Sequence, residues 1–209
     1  MFDVIMITYS RVLLLVALGL SAAYSQQIPR QPSGEEMAKL LELTKPGPEH
    51  ALLKEFKGKW ALTVKTGTKK ESKGNASSFM TMEDRFLWIS YDARGQAGRF
   101  KGGFIIGFDR RHGHFTLLAM DIDGTYYVES RGVPDEGSKV VRLYGKDDDP
   151  YMKQLGLEKE FAHELDLRDP DKLTIAVFYI DTRTPARKEL EAFTLEFRRK
   201  AEPEPKGGG

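Results

Sequence analysis

The sequence predicts an all-β fold: a single antiparallel up-and-down β-barrel of about ten strands, with one or two short N-terminal helices. Three observations predict it. From Trp60 onward, short runs carry apolar residues at alternate positions, the period of a strand with one buried face. Turn-forming pairs separate the runs, and no long helical pattern intervenes, so the connections suit hairpins rather than parallel crossovers. A sheet of that many strands must curl or split, and closure removes its exposed edges.

Residues 12–20 are the unbroken apolar run VLLLVALGL, with Arg11 before it and Ser21, Ala22 and Ala23 after it. A bilayer span needs about 20 residues, so residues 1–25 read as a secretory signal peptide. Ala23 and Ser25 fit the small-x-small pattern for cleavage after Ser25, with cleavage after Ala23 as the alternative. Asp3 opposes the positive charge expected at such an N-terminus, so Met6 is the better start. The expected location is periplasmic or secreted, with no membrane span after cleavage. Residues 26–45 read as a linker and a short helix over 35–43, where Met37, Leu40 and Leu41 share one face.

Residues 46–200 are the expected barrel domain. Pro48 starts a helix, Ala51, Leu52, Leu53 and Phe56 give it an apolar stripe, and Gly58 ends it. The expected strands are 60–66, 72–82, 86–93, 99–109, 115–121, 126–132, 139–145, 160–167, 172–180 and 187–199. Asp123-Gly124 is a two-residue hairpin signal. Arg94-Gly95, His112-Gly113, Glu136-Gly137 and Asp169-Pro170 are further turns. The stretch 147–157 is the one long connection, read as a lid or a short helix. Residues 201–209, AEPEPKGGG, hold no apolar residue larger than alanine and read as a disordered tail.

Composition removes several function classes. Lys and Arg number 32 against 31 Asp and Glu, so there is no basic footprint for a nucleic acid. Cysteine is absent, which removes disulfides, thiolate zinc sites and a cysteine nucleophile. No Gly-x-Ser-x-Gly elbow occurs. The glycines within 98–103 lack the Lys-Ser/Thr of a phosphate loop and read as bends in a long strand. Asn75-Ala-Ser77 is a glycosylation sequon that matters only in a eukaryotic secretory route.

The remaining motifs have plainer readings than chemical ones. Asp121-Ile-Asp123-Gly124 lacks the closing Glu of a calcium loop and reads as a strand entering a turn. Asp147-Asp148-Asp149 reads as a solvated loop rather than a calcium site. His112-Gly-His114 has no third ligand nearby in sequence. His50 opens a helix and reads as a cap or packing residue. His163 lies mid-strand with Phe161 and Leu165 on its side, a satisfied core histidine or a contact for a ligand's polar head. No catalytic residue, cofactor or metal is expected. Aromatic residues fall on both phases of the strands, so the outer wall also needs cover, from the N-terminal helices or a partner subunit.

Two resemblances sharpen the fold. Gly58-Lys-Trp60 on the first strand resembles the opening of calycin-type barrels such as lipocalins. The resemblance implies that Trp60 closes one end of the barrel beneath an Arg of the last strand; Arg198 and Arg199 are placed for this, and Arg198 is assigned. A longer string is more specific: Pro46-Gly-Pro-Glu-His50, Leu52-Leu53, Phe56-x-Gly58-x-Trp60, Arg85-Phe86-Leu87, Gly103, Gly107-Phe108-Asp109 and Asp121. It resembles the bacterial domain-of-unknown-function family fifteen seventy-nine, over 46–200. That family usually has Gly-Gly where this chain has Glu83-Asp84, Tyr where it has Phe108, and often Trp where it has Ala119. Loss of the large aromatic at Ala119 would widen a cavity or change its contents.

The function expected is a non-catalytic exported barrel that binds a small hydrophobic or amphipathic ligand, with Trp88, Tyr126, Tyr144, His163 and Tyr179 as candidate lumen residues. The alternative is a filled barrel that acts through its outer surface, for which a homodimer is the expected state.

Overall fold

The computed structural model describes residues 30–156, 159–182 and 186–201, without the side chain of Met152. The expected signal peptide lies outside the described residues, as does the expected tail beyond Ala201. The first helix, α1 (Gly34–Leu43), begins at a reciprocal cap. Ser33 Oγ accepts the Glu36 N–H at 3.2 Å, and Glu36 accepts the Ser33 N–H at 2.7 Å. That is the Ser-x-x-Glu capping box.

The second helix, α2 (Pro48–Lys54), starts at Pro48 as expected. His50 acts as its cap: Nδ1 accepts the Gly47 N–H at 3.0 Å. A seven-residue helix has no stability alone. It is held because Leu53 and Phe56, just beyond its end, are fully buried, each contributing about 1.5–3 kcal/mol. The His50 ring meets Phe108 edge-on at 6.3 Å.

Ten strands follow: β1 (Gly58–Thr66), β2 (Glu71–Thr81), β3 (Phe86–Gly95), β4 (Gly98–Asp109), β5 (His114–Asp121), β6 (Val128–Gly132), β7 (Val140–Asp147), β8 (Lys159–Asp169), β9 (Lys172–Ile180) and β10 (Glu189–Arg199). Each pairs antiparallel with its chain neighbour, and β10 returns to β1 to close the barrel. The closing ladder runs from Trp60 opposite Arg199 to Thr66 opposite Phe193. The long connection before β8 holds a short helix, α3 (Pro150–Gln154), whose start is fixed by Asp149 Oδ1 accepting the Tyr151 N–H at 2.8 Å.

Strand alternation decides what fills the lumen. Trp60, Leu62 and Val64 are buried, and their phase passes through the register to Leu87 and Ile89, Ile106, Leu117, Leu143, Leu165, Ile175, Leu195 and Phe197. Trp88 and Tyr144 lie on the other phase. They face outward, correcting their assignment to the lumen: Trp88 is one position out of step with buried Leu87 and Ile89, and Tyr144 is exposed beside buried Leu143.

The outer wall is covered in part by charged side chains lying on rings. Arg142 sits over Phe178 at 4.5 Å, held by Glu164 at 3.0 Å and by Glu189. Glycines accommodate rings from the facing strand, on the outer wall for Phe86 and toward the lumen for Phe161. Gly107 is the register partner of Phe86, and Gly145 of Phe161. A Cβ would stand 2.6 Å from the Phe86 ring at the first and 2.4 Å from the Phe161 ring at the second.

One end of the barrel is sealed around Trp60. Its indole N–H donates to Ser78 Oγ at 2.8 Å, and that hydroxyl donates to the Phe56 carbonyl at 2.5 Å. The guanidinium over the indole belongs to Arg199, at 4.5 Å. It donates to the carbonyls of Lys57, Glu55 and Pro170 at 2.6–2.7 Å and to Asp171 at 2.7 Å. Arg198 points outward and is exposed, because inward positions on β10 fall at Leu195, Phe197 and Arg199. Gly58, with φ +144°, is required here: a Cβ would lie 2.8 Å from Arg199 Nη1.

The expected Asp123-Gly124 hairpin has the right centre but a wider turn. Ala119 pairs with Val128, and 122–127 leave the ladder. Asp121 Oδ1 accepts the Asp123 N–H at 2.9 Å, an Asx turn that draws the chain away from two-residue geometry.

Candidate functional site

The lumen is filled at the sealed end by the fully buried Trp60, Leu62, Phe115 and Phe197 and hollow at the other. A cavity of about 130 Å³ opens between the strands far from α2. Phe104, Phe161, Val177 and Phe193 give it apolar walls, and Ala119 and Val128 complete them. Asp121, Tyr126, Asp147, Lys159 and Tyr179 line its mouth. Lys159 donates to Asp147 at 2.9 Å. Burial alone would lower the Lys159 ammonium, but the bond to Asp147 and its charge outweigh this and raise it.

The sequence brings His163 into this space by alternation along β8, four residues beyond Lys159. At ~3.4 Å per residue that is about 14 Å further along the strand. His163 is 3% exposed. The Phe161 and Phe104 rings meet it edge-on at 5.3 and 6.4 Å. Nδ1 shares a hydrogen bond of 3.0 Å with Ser130 Oγ of β6, which is itself buried. Nε2 has no partner among the described residues. Burial pushes the imidazole down to about 4, so it is neutral at ordinary pH.

Tyr91 of β3 is the second polar group in the cavity. Its ring stacks on Phe104 at 5.3 Å, and its hydroxyl has no hydrogen-bond partner among the described residues. It lies opposite Gly102, where a Cβ would come within 2.7 Å of the hydroxyl and 2.3 Å of the Met120 carbonyl. Gly102 is therefore a point of close approach. Burial raises the phenol, with the Asp121 and Asp123 carboxylates adding to it.

Of the candidate residues, the structure gathers His163, Tyr126 and Tyr179 at the cavity and leaves Trp88 and Tyr144 outside it. Tyr91, Ser130 and the Lys159–Asp147 pair were missed. Tyr91 was within reach: once Trp60 faces inward, pairing of Trp60 with Ala76 and of Ala76 with Tyr91 puts Tyr91 inside. Ser130 carried no signal of its own.

The other polar motifs are engaged elsewhere. Asp109 accepts Arg111 and His112, which hold its carboxyl well below the usual carboxylate range. Asp148 pairs with Lys153. His50 is pushed down by burial at the α2 cap, with Arg110 and Arg85 adding to it. Among the described residues, no three His, Asp or Glu side chains gather closely enough to hold a metal ion, and no helix is long and apolar enough to cross a membrane.

Residues 45–199 match the family described as "Protein of unknown function (DUF1579)". No curated protein matches the chain. Among solved structures, the chain is similar to a de novo designed fluorescence-activating β-barrel, with 14% identity over 70% of this chain and 94% of that one, at a TM-score of 0.39. It is also similar to an mFAP2b barrel bound to DFHBI, with 10% identity over 72% and 98% and a TM-score of 0.40. A redesigned barrel, mFAP0, also bound to DFHBI, shares 12% identity over 69% and 99%, at 0.37. At TM-scores below one half these likenesses carry no argument about this chain.

Proposed function

The chain belongs to the DUF1579 family of proteins of unknown function, and we propose that within it this protein is an exported barrel that binds a small, mainly apolar molecule without transforming it. The observation that carries the reading is the cavity of about 130 Å³, apolar in its walls and open past Tyr126 and Tyr179. Drug-sized ligands use pockets of about 300–1,000 Å³, so size favours a small molecule, with any charged end outside near Lys159 and Asp147. Binding without chemistry is favoured by the surroundings of His163, whose hydrogen-bond partner is the Ser130 hydroxyl and not a carboxylate. Export rests on the leader-like residues 12–25.

Ala119 supplies the test. It lines the cavity, at a position where the resembled family often carries Trp. An Ala119→Trp variant should fill the space and keep the fold. Native mass spectrometry of protein purified from its own host should show a small molecule on the wild type, lost on denaturation, and none on the variant. A bare wild-type mass, or the same adduct on both proteins, would count against the lumen as the site.

The second reading, action through the outer surface, is favoured by apolar side chains in the loops leaving the open end: Ile122, Tyr126, Tyr127, Tyr151 and Leu155 are all exposed. Light scattering after size exclusion bears on it, since a dimer is the state that reading expects and a monomer would count against it.

A further inference from the structure

The cavity's apolar walls set the size of a ligand, and its few polar groups set the chemistry. Two of these, His163 Nε2 and the Tyr91 hydroxyl, have no partner among the described residues, while His163 Nδ1 is occupied by Ser130. Both atoms open onto the cavity rather than being shut off from it, so an apolar molecule that merely filled the space would bury both unmatched, which is costly. A charged group fares worse, because burying it without a counter-charge costs far more than an unmade hydrogen bond. Among the described residues, the one cation lining the cavity is Lys159, at the mouth and already bound to Asp147.

We infer that the lumen is built for an uncharged, single-ring molecule bearing a hydroxyl group, of the phenol class, inserted with its oxygen toward His163 and Tyr91. The inference rests on the binding reading above and specifies its ligand. A hydroxyl is singled out because it both donates and accepts. The Ser130 bond leaves Nε2 either with or without a proton according to the tautomer, and a hydroxyl matches both; it can also exchange a hydrogen bond with Tyr91. A single ring is set by volume: an apolar cavity of about 150 Å³ accepts benzene, close to the space here. The Phe104 and Phe161 rings offer faces and edges for such a ring to pack on.

The test compares phenol, toluene and benzoate as probes, by calorimetric titration of the intact protein. The expected result is that phenol binds at least tenfold more tightly than toluene, and benzoate more weakly than either. His163→Phe should bind toluene about as well as the wild type while losing most of the phenol preference. Tyr91→Phe removes one oxygen without changing the ring and should reduce the preference by severalfold. Circular dichroism checks that each variant is folded, and the wild-type ratio decides the matter even if His163→Phe is not. Equal binding of phenol and toluene, or tightest binding of benzoate, would overturn the inference while leaving a binding lumen. No binding of any probe to the wild type, with no adduct in the native mass spectrum, would overturn the binding reading itself.

Discussion

At the scale of single residues, His163 couples the cavity to stability. Its ordinary value is 6.5, and burial alone brings it to about 4 in the fold. As pH falls from neutral, the unfolded chain takes up the proton first, so unfolding gains and folding loses. The contribution is therefore complete above about 6.5 and disappears progressively toward 4. Its full size, on the order of 3 kcal/mol, follows from the gap between the two values. In urea titrations, the wild type should lose about 2–3 kcal/mol more than His163→Gln between pH 7 and pH 4. Carboxylates such as Asp109 also weaken the fold in acid, but they are common to both proteins and cancel in the comparison. Parallel stability curves would show that His163 takes up a proton in the fold as readily as in the unfolded chain.

At the scale of elements, the turn from β2 to β3 stands out. Met82, Glu83 and Asp84 all have φ between +50° and +64°, a left-handed turn closed by the Arg85 N–H donating to the Thr81 carbonyl at 3.1 Å. None is glycine, and each such residue costs about 1–2 kcal/mol. The resembled family's usual Gly-Gly at the positions of Glu83 and Asp84 would remove most of that cost. Asp84 has a compensation, its ion pair with Lys54 of α2, which ties the turn to that helix. Glu83 is exposed, and its contact with Arg85 at 3.1 Å is of the kind worth little. Glu83→Gly should therefore stabilise the protein by about 1 kcal/mol, read as a higher urea midpoint at unchanged slope. A lower midpoint would mean that the side chain, not the backbone, holds this turn. The same element explains why Lys54 lies near the barrel wall: α2 is held from above by buried Leu53 and Phe56 and from the side by Asp84.

At the scale of the whole molecule, closure joins segments far apart in the chain, since β1 near Trp60 completes its ladder only with β10 near Arg199. No subset of strands reproduces the seal in which Arg199 bonds to carbonyls before β1 and after β8. Unfolding should thus be one cooperative event, with tryptophan fluorescence and far-ultraviolet circular dichroism giving coincident transitions, and folding should fall in the slow range of β topologies. A tryptophan signal lost ahead of the strands would show a seal that opens independently. Sequence by itself determined the strands, their order and the helix that begins at Pro48, because alternation, turn residues and a proline-started helix are local properties of the chain. It also carried the family likeness and the departure at Ala119. Only the tertiary structure decided which phase faced inward, and with it the exchange of Trp88 and Tyr144 for Tyr91 and Ser130, and of Arg198 for Arg199. The reason is physical: alternation defines two faces of a strand but not their sides, and one step of register inverts every side chain. That choice is made by the closing ladder and by Trp60 beneath Arg199, contacts between residues that the chain brings together only when the barrel shuts.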